Sequence, residues 1–197
     1  TKNKDFLLFN INPVQKVILI KTKKNQSFLE SEKIGAKFFN FIKSNSIFSL
    51  NLFDNNIKNI HSKNEHFLDY FIHGAQLKSY NFKKYKSDKK KDFFEITISD
   101  KKKLTNFGKE GKFLSLIEGT NLTKDLVSEP GNILHPDEYA KRLKSLKKYG
   151  LKIVVYDEKK LKQLGMNALL GVGQGSIRGS YLVTIEWKGA KSQIKPL

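Results

Sequence analysis

Short runs with a two-residue period alternate along this chain with longer stretches at the helical period, and that alternation restricts it to a layered α/β fold. A strand-like stretch follows Thr1–Asp5, and Val17-Ile-Leu-Ile20 is a β-branched apolar run suited to a buried strand. From Ser31 onward, Ile34, Phe38, Phe41 and Ile42 recur at i, i+4, i+7 and i+8, which gathers them on one helical face. Ile47–Phe53 alternates and predicts a strand. A helix is expected from Asn64, carrying Phe67, Phe71 and Leu77, with Gly74-Ala75 allowing close packing. Phe93–Ile98 alternates again.

The second half changes character. Phe113, Leu116, Ile117, Leu122, Leu126 and Val127 lie in one long helical segment that Pro130 ends, with Gly119 tolerated inside it. Glu129-Pro-Gly-Asn132 predicts a turn. Pro136-Asp-Glu138 opens a helix running to Tyr149 and stopping at Gly150. Leu151–Tyr156 predicts a strand, Asp157 an N-cap, Glu158–Leu164 a short helix ended by Gly165, and Tyr181–Trp187 a last strand. The expected organisation is an N-terminal mixed-sheet α/β domain at 1–107, a long connector helix at 108–128, and an incomplete second α/β set at 129–197, where the strands are too few for a full sheet.

A hydrophobic fraction of 39% with 15 Phe argues for a folded chain rather than a disordered tail. No apolar run approaches the ~20 residues needed to span a bilayer, so no membrane association is expected. There is no Cys, hence no disulfide frame or thiolate metal site, and no signal-like start, which together favour the cytoplasm. The net charge of +18 raises nucleic acid as a partner. Yet only Arg142 and Arg178 carry the guanidinium fork that base readout prefers, and the Lys excess is spread along the chain. The chain is also rich in Asn, Ile and Phe, residues with AT-heavy codons, so nucleotide bias accounts for the Lys excess more simply.

No catalytic constellation assembles from the motifs. His61 and His66 are spaced i, i+5 without an HExxH pattern, and with His73 and His135 they are expected at the surface or in caps. Gly171-Val-Gly-Gln-Gly-Ser-Ile-Arg-Gly179 matches neither the dinucleotide nor the P-loop spacing. It is expected to be a permissive loop from Leu169-Leu170 to the strand at Tyr181. Ser176 lacks the nucleophile-elbow context, because Arg178 stands where Gly is needed. Asp137-Glu138 and Asp157-Glu158 sit where helix-starting acids belong rather than as converging acid/base pairs. Phe6-Leu-Leu-Phe9 and other aromatics interleaved with Lys could mimic a stacking platform, but core packing suits their periods better.

Four segments carry a resemblance. Thr123–Pro136 (TKDLVSEPGNILHP) resembles the opening of the catalytic domain of the leucyl (cytosol) aminopeptidase family. Leu164–Ser176 (LGMNALLGVGQGS) is similar to that family's LGMGALLAVGQGS stretch. Glu186–Ala190 with Lys195–Leu197 resembles the strand and turn before its metal-binding core, and Gly74–Lys86 (GAQLKSYNFKKYK) resembles a helix end of its N-terminal domain. Ser128, His135, Asn167 and Gly179-Ser180 depart from the family's usual residues without touching its chemistry.

The resemblance implies a two-domain hexameric aminopeptidase acting on peptides, in which two divalent metal ions, Mn or Zn, activate a water and polarise the scissile carbonyl. The family's ligands, a Lys with several Asp and Glu, would all follow the position of Leu197. No catalytic, metal or cofactor-binding residue is therefore assigned here, no metal is expected in these 197 residues, and they are expected to be inactive alone. Two other readings stay open: a Lys-rich nucleic-acid-binding module, and a non-catalytic truncated paralogue.

Overall fold

The computed structural model describes residues 5–23, 26–53, 67–87, 94–98 and 111–189. The expectations placed on His61, the helix start at Asn64, His66, Phe93, the 107/108 boundary, Ala190 and Lys195–Leu197 lie outside the described residues. The chain divides into two units, Thr1–Asp125 and Leu126–Leu197.

In the first unit, β1 (Phe6–Asn10) pairs antiparallel with β2 (Lys16–Ile20), placing Phe6 opposite Ile20 and Phe9 opposite Val17. Asn12 closes the hairpin, its Oδ1 accepting from the backbone N–H groups of Val14 at 2.9 Å and Gln15 at 2.7 Å. Helix α1 (Phe28–Ser44) starts in a capping box, in which the Ser27 hydroxyl accepts from the Glu30 N–H and the Glu30 carboxylate accepts from the Ser27 N–H. β3 (Ser49–Leu52) pairs parallel with β4 (Glu95–Ile98), and helix α2 (Phe67–Ser79) lies between them in sequence. The mixed character expected of this α/β domain thus takes the form of one antiparallel and one parallel pair among the described residues.

Helices α1 and α2 touch backbone to backbone. A Cβ on Gly35 would lie 1.9 Å from the Phe71 carbonyl oxygen, and one on Gly74 would lie 2.1 Å from that of Glu32. Only glycine lets the two helices come this close. The close crossing brings Phe38 and Phe71 to 5.1 Å between ring centroids, and Phe6 from β1 to 5.7 Å from Phe38. Phe6, Phe38, Ile42 and Phe71 form the centre of the core, each such aromatic pair adding about 0.5–1.5 kcal/mol beyond area burial. Of the helical face read from the sequence, Phe38 and Ile42 are buried and Ile34 and Phe41 half-buried, while Phe39 is buried as well.

Helix α3 (Lys112–Ser128) is fastened near both ends: late in the helix Lys124 Nζ donates to the Leu77 carbonyl at 2.8 Å and Asp125 Oδ1 accepts from the Tyr80 hydroxyl at 2.8 Å. Phe113 is buried, stacked on His73 at 4.4 Å and edge-on to Tyr70 at 4.9 Å, whereas Leu114, Leu116, Leu122 and Val127 are exposed.

In the second unit, helix α4 (Pro136–Ser145) continues as a 3-10 turn to Tyr149 and stops at Gly150, whose φ of 82° places it in the left-handed region. β5 (Lys152–Tyr156) leads to helix α5 (Glu158–Gln163), where the Asp157 carboxylate accepts from the Lys160 N–H at 2.9 Å as the N-cap. Gly165, at φ 69°, turns the chain into helix α6 (Asn167–Gly173), and β6 (Leu182–Glu186) returns antiparallel to β5.

One expectation is corrected here. The Gly-rich stretch is helical as far as Gly173, because helix glycines cost only ~1 kcal/mol each and Ala168-Leu169-Leu170 carries the turn; only the remainder is loop. Helices α5 and α6 and that loop join the two strands, and β6 runs antiparallel to β5 with Lys152 opposite Glu186 and Tyr156 opposite Leu182.

Candidate functional site

The second unit gathers most of the described charge pairs, and Arg142 joins two of its carboxylates. Its Nη1 donates to Glu129 Oε1 at 2.7 Å and its Nε donates to Glu138 Oε1 at 3.0 Å. The Glu129 side chain is almost wholly buried, so the guanidinium fork fastens the 129–134 turn to α4. The turn closes on itself through Pro130, whose carbonyl accepts from the Ile133 and Leu134 N–H groups. His135 occupies the N-cap position of α4 without capping through its side chain; its Nδ1 pairs with Asp137 Oδ1 instead. Asp137 Oδ2 also meets Arg178 Nη1 at 3.5 Å, tying the loop before β6 to the start of α4. The same loop is held by the Ser180 N–H donating to Glu158 Oε1 at 3.3 Å, and by the Arg178 N–H donating to Ser176 Oγ at 3.0 Å.

These contacts set the protonation states. Partial desolvation pushes Asp137 up, but the hydrogen bond with His135 and the charges of His135 and Arg178 outweigh it and leave the carboxyl below its usual range. The hydrogen bond from Arg142, with the charge of Lys141, lowers Glu138, and the bond with Glu129 raises Arg142. Groups held so firmly ionised make poor proton donors at neutral pH. The arrangement positions a turn, a helix start and a loop; it does not present a general acid.

The first unit holds one further pair. His73 on α2 is buried, with Nδ1 2.5 Å from Glu32 Oε1 on α1 and its ring stacked on Phe113. Its buried Nε2 has no hydrogen-bond partner among the described residues. His73 is therefore neither a surface nor a capping residue, contrary to the expectation. It sits one position from Gly74, where the close helix crossing draws it inside. Asp69, also buried, lies in the first turn of α2, where the helix dipole favours an acid.

Both adjacent acid pairs lie at helix starts, as their spacing indicates: Asp137-Glu138 in the first turn of α4, and Asp157-Glu158 as N-cap and first residue of α5. Phe6 enters the core, but Leu7 and Phe9 stay exposed. The role of Arg142 was not read from the sequence, although its spacing of four from Glu138 was a local signal. The Glu32–His73 pair, 41 residues apart, left none.

Among the described residues, no three His, Asp or Glu side chains are grouped so as to hold a metal ion. The described residues thus do not fit a metal pair. Among them, too, no helix is long and apolar enough to cross a membrane.

The sequence model described as "Cytosol aminopeptidase family, catalytic domain" matches residues 121–197. A probable cytosol aminopeptidase of Phytoplasma mali (strain AT) is 46% identical over 130 residues, covering 62% of this chain and 26% of the relative. One of Sinorhizobium fredii is 39% identical over 134 residues, covering 64% of this chain and 27% of the relative. The chain therefore spans about a quarter of the length of the curated relatives it matches. Among solved structures, the bottromycin maturation enzyme BotP in complex with Mn has the same fold at a TM-score of 0.73 and 19% identity, over 95% of this chain and 40% of that one. A tomato leucine aminopeptidase mutant matches at a TM-score of 0.73 and 17% identity, over 91% of this chain and 37% of that one.

Proposed function

We propose that the chain belongs to the cytosol aminopeptidase family, whose catalytic-domain model matches residues 121–197, and that it is the leading portion of a metal-dependent aminopeptidase. That enzyme would release N-terminal residues, Leu-like ones among them, from peptides in the cytoplasm. The observation that carries this reading is the order of the family segments along the chain: Gly74–Lys86, Thr123–Pro136, Leu164–Ser176 and Glu186–Ala190. The proposal includes the organisation read from the sequence, with an N-terminal domain at 1–107, a connector at 108–128 and the start of the catalytic domain at 129–197. It also includes a homo-oligomeric, hexameric parent enzyme and a pair of Mn or Zn ions bound by residues other than those described here.

In this reading the 197 residues act as scaffold. The Arg142 hub sets the turn against α4, and Asp137 and Glu158 hold the loop that delivers β6, the strand nearest the catalytic core. No step of the hydrolysis is assigned to them. The test is turnover of a leucine anilide by the 197-residue chain with added Mn²⁺ or Zn²⁺. No turnover is expected, and turnover abolished by a chelator would overturn the scaffold assignment. Reading the gene beyond Leu197 tests the parent enzyme. A strand end bearing Lys and an Asp-rich loop are expected, whereas an immediate stop would favour a non-catalytic paralogue.

A further inference from the structure

The tip of the β1–β2 hairpin displays side chains that a loop in water does not favour. Asn12 locks the turn, its Oδ1 accepting from the Val14 and Gln15 N–H groups, while the Ile11 N–H donates to the Gln15 carbonyl at 2.9 Å. Turn positions usually carry Gly, Asn, Asp or Ser, yet this turn presents Ile11 at 62% and Val14 at 92% exposure. Behind it, on the face turned from the core, Phe9 lies opposite Val17 and Leu7 opposite Leu19, and all four are exposed. The β3–β4 pair of the same unit instead exposes Ser49, Asn51, Glu95 and Thr97. An apolar strip that runs onto a fixed tip is a surface shaped for a non-aqueous neighbour.

Cations frame the strip. Residues 1–24 contain Lys2, Lys4, Lys16, Lys21, Lys23 and Lys24 against one acid, Asp5, whose carboxylate is paired with Lys37 at 2.9 Å. Lys16 opens β2 beside the turn. The ladder runs on past β2, where the Lys21 N–H donates to the Asp5 carbonyl at 2.9 Å. The two-residue period that carries Val17 and Leu19 brings Lys21 to the same face. Lys23 pairs with Glu30 at 3.5 Å, which leaves Lys16 and Lys21 as the hairpin's cations without an ion pair among the described residues.

We propose that this hairpin docks the chain on an anionic lipid surface, the tip entering the acyl boundary and Lys16 and Lys21 remaining among the headgroups. Interfacial elements bury their apolar side to about 5–10 Å, and two strand residues climb about 7 Å. Ile11 and Val14 therefore reach that depth together with Phe9 and Val17. Charge selects the lipid. A face margined by lysines and without an unpaired acid, on a chain of net charge +18, is drawn to a negative leaflet.

The length that excludes a spanning segment does not bear on a hairpin that only lies in the interface. The docking concerns the first unit alone and is independent of the peptidase reading. It also has its own signature: attraction by charge alone is lost when salt screens it, whereas an inserted apolar tip keeps part of its hold.

The experiment is co-sedimentation of the 197-residue chain with vesicles of phosphatidylcholine alone and of phosphatidylcholine mixed with an equal part of phosphatidylglycerol. Binding is expected to the mixed vesicles, with a fraction persisting at about 0.5 M salt, where the Debye length falls to about 4 Å. The uncharged double variant Phe9→Ser, Ile11→Ser should weaken it by at least about tenfold. Lys16→Gln with Lys21→Gln should weaken it by at least about fivefold at low salt, while Val172→Ser with Ile177→Ser, in the second unit, should leave it unchanged. Circular dichroism of each variant establishes that it is folded. A second measurement follows the tip itself. Trp187→Phe removes the single native Trp, and Val14→Trp in that background should shift its emission to the blue on mixed vesicles and be quenched by brominated acyl chains. No binding to mixed vesicles, binding indifferent to the double serine variant, binding lost completely in salt, or a tip Trp whose emission does not move would overturn the proposal.

Discussion

Glycine identity decides the tightest contact in the molecule. Gly35→Ala or Gly74→Ala should destabilise the first unit by about 2–3 kcal/mol in urea unfolding, because the added methyl meets a backbone carbonyl that cannot move aside. Gly119→Ala should do the reverse and stabilise by up to ~1 kcal/mol, since nothing lies within 4 Å of the new carbon and only helix propensity changes. Arg142 makes a second residue-scale test. Its removal strips a guanidinium from the buried carboxylate of Glu129, and Arg142→Ala should lower the urea midpoint of the second unit. Glu138, lowered by the same guanidinium, binds fewer protons folded than unfolded. Its contribution is therefore complete above the ordinary carboxylate range and lost as pH falls through its folded value. The stability gap between the parent chain and Arg142→Ala should narrow accordingly between neutral and acid pH, as urea midpoints at several pH values would show.

The elements differ in how much holds them. Helices α1 and α2 share a crossing and a phenylalanine-rich core, whereas the second unit buries few apolar side chains, Ala140, Ile153 and Leu161 among them. Amide hydrogen exchange should therefore be slowest in α1 and α2 and markedly faster across β5 and β6. Comparable protection in the two units would contradict this reading of the core. Phe113 is the buried apolar anchor of helix α3, so Phe113→Ala should cost about 3–5 kcal/mol by emptying the place between Tyr70 and His73. The described element types were largely legible along the sequence: strands showed as two-residue alternation, and helices as the 3.6-residue period with caps at Asp157 and Gly150. The exceptions were α6, where two glycines disguised a helix, and the direction of β6, which no local pattern fixes.

At the scale of the whole molecule, the charge of +18 and the match to the cytosol aminopeptidase catalytic-domain model point to different partners. If the Lys excess is compositional, random duplex DNA should bind weakly, and that binding should disappear at moderate salt without sequence preference. A tight complex surviving such salt in a titration would restore the nucleic-acid reading.

The resemblance to the cytosol aminopeptidase family was carried by short segments in a fixed order, and the α/β class and the capped helix ends were legible in the same way, because each depends on neighbours in sequence. The tertiary structure alone decided that Glu32 meets His73, that Arg142 joins a turn to a helix, and that one face of the β1–β2 sheet is left bare. Those outcomes depend on which distant surfaces come within a few ångströms of one another, and no periodicity along the chain encodes that distance.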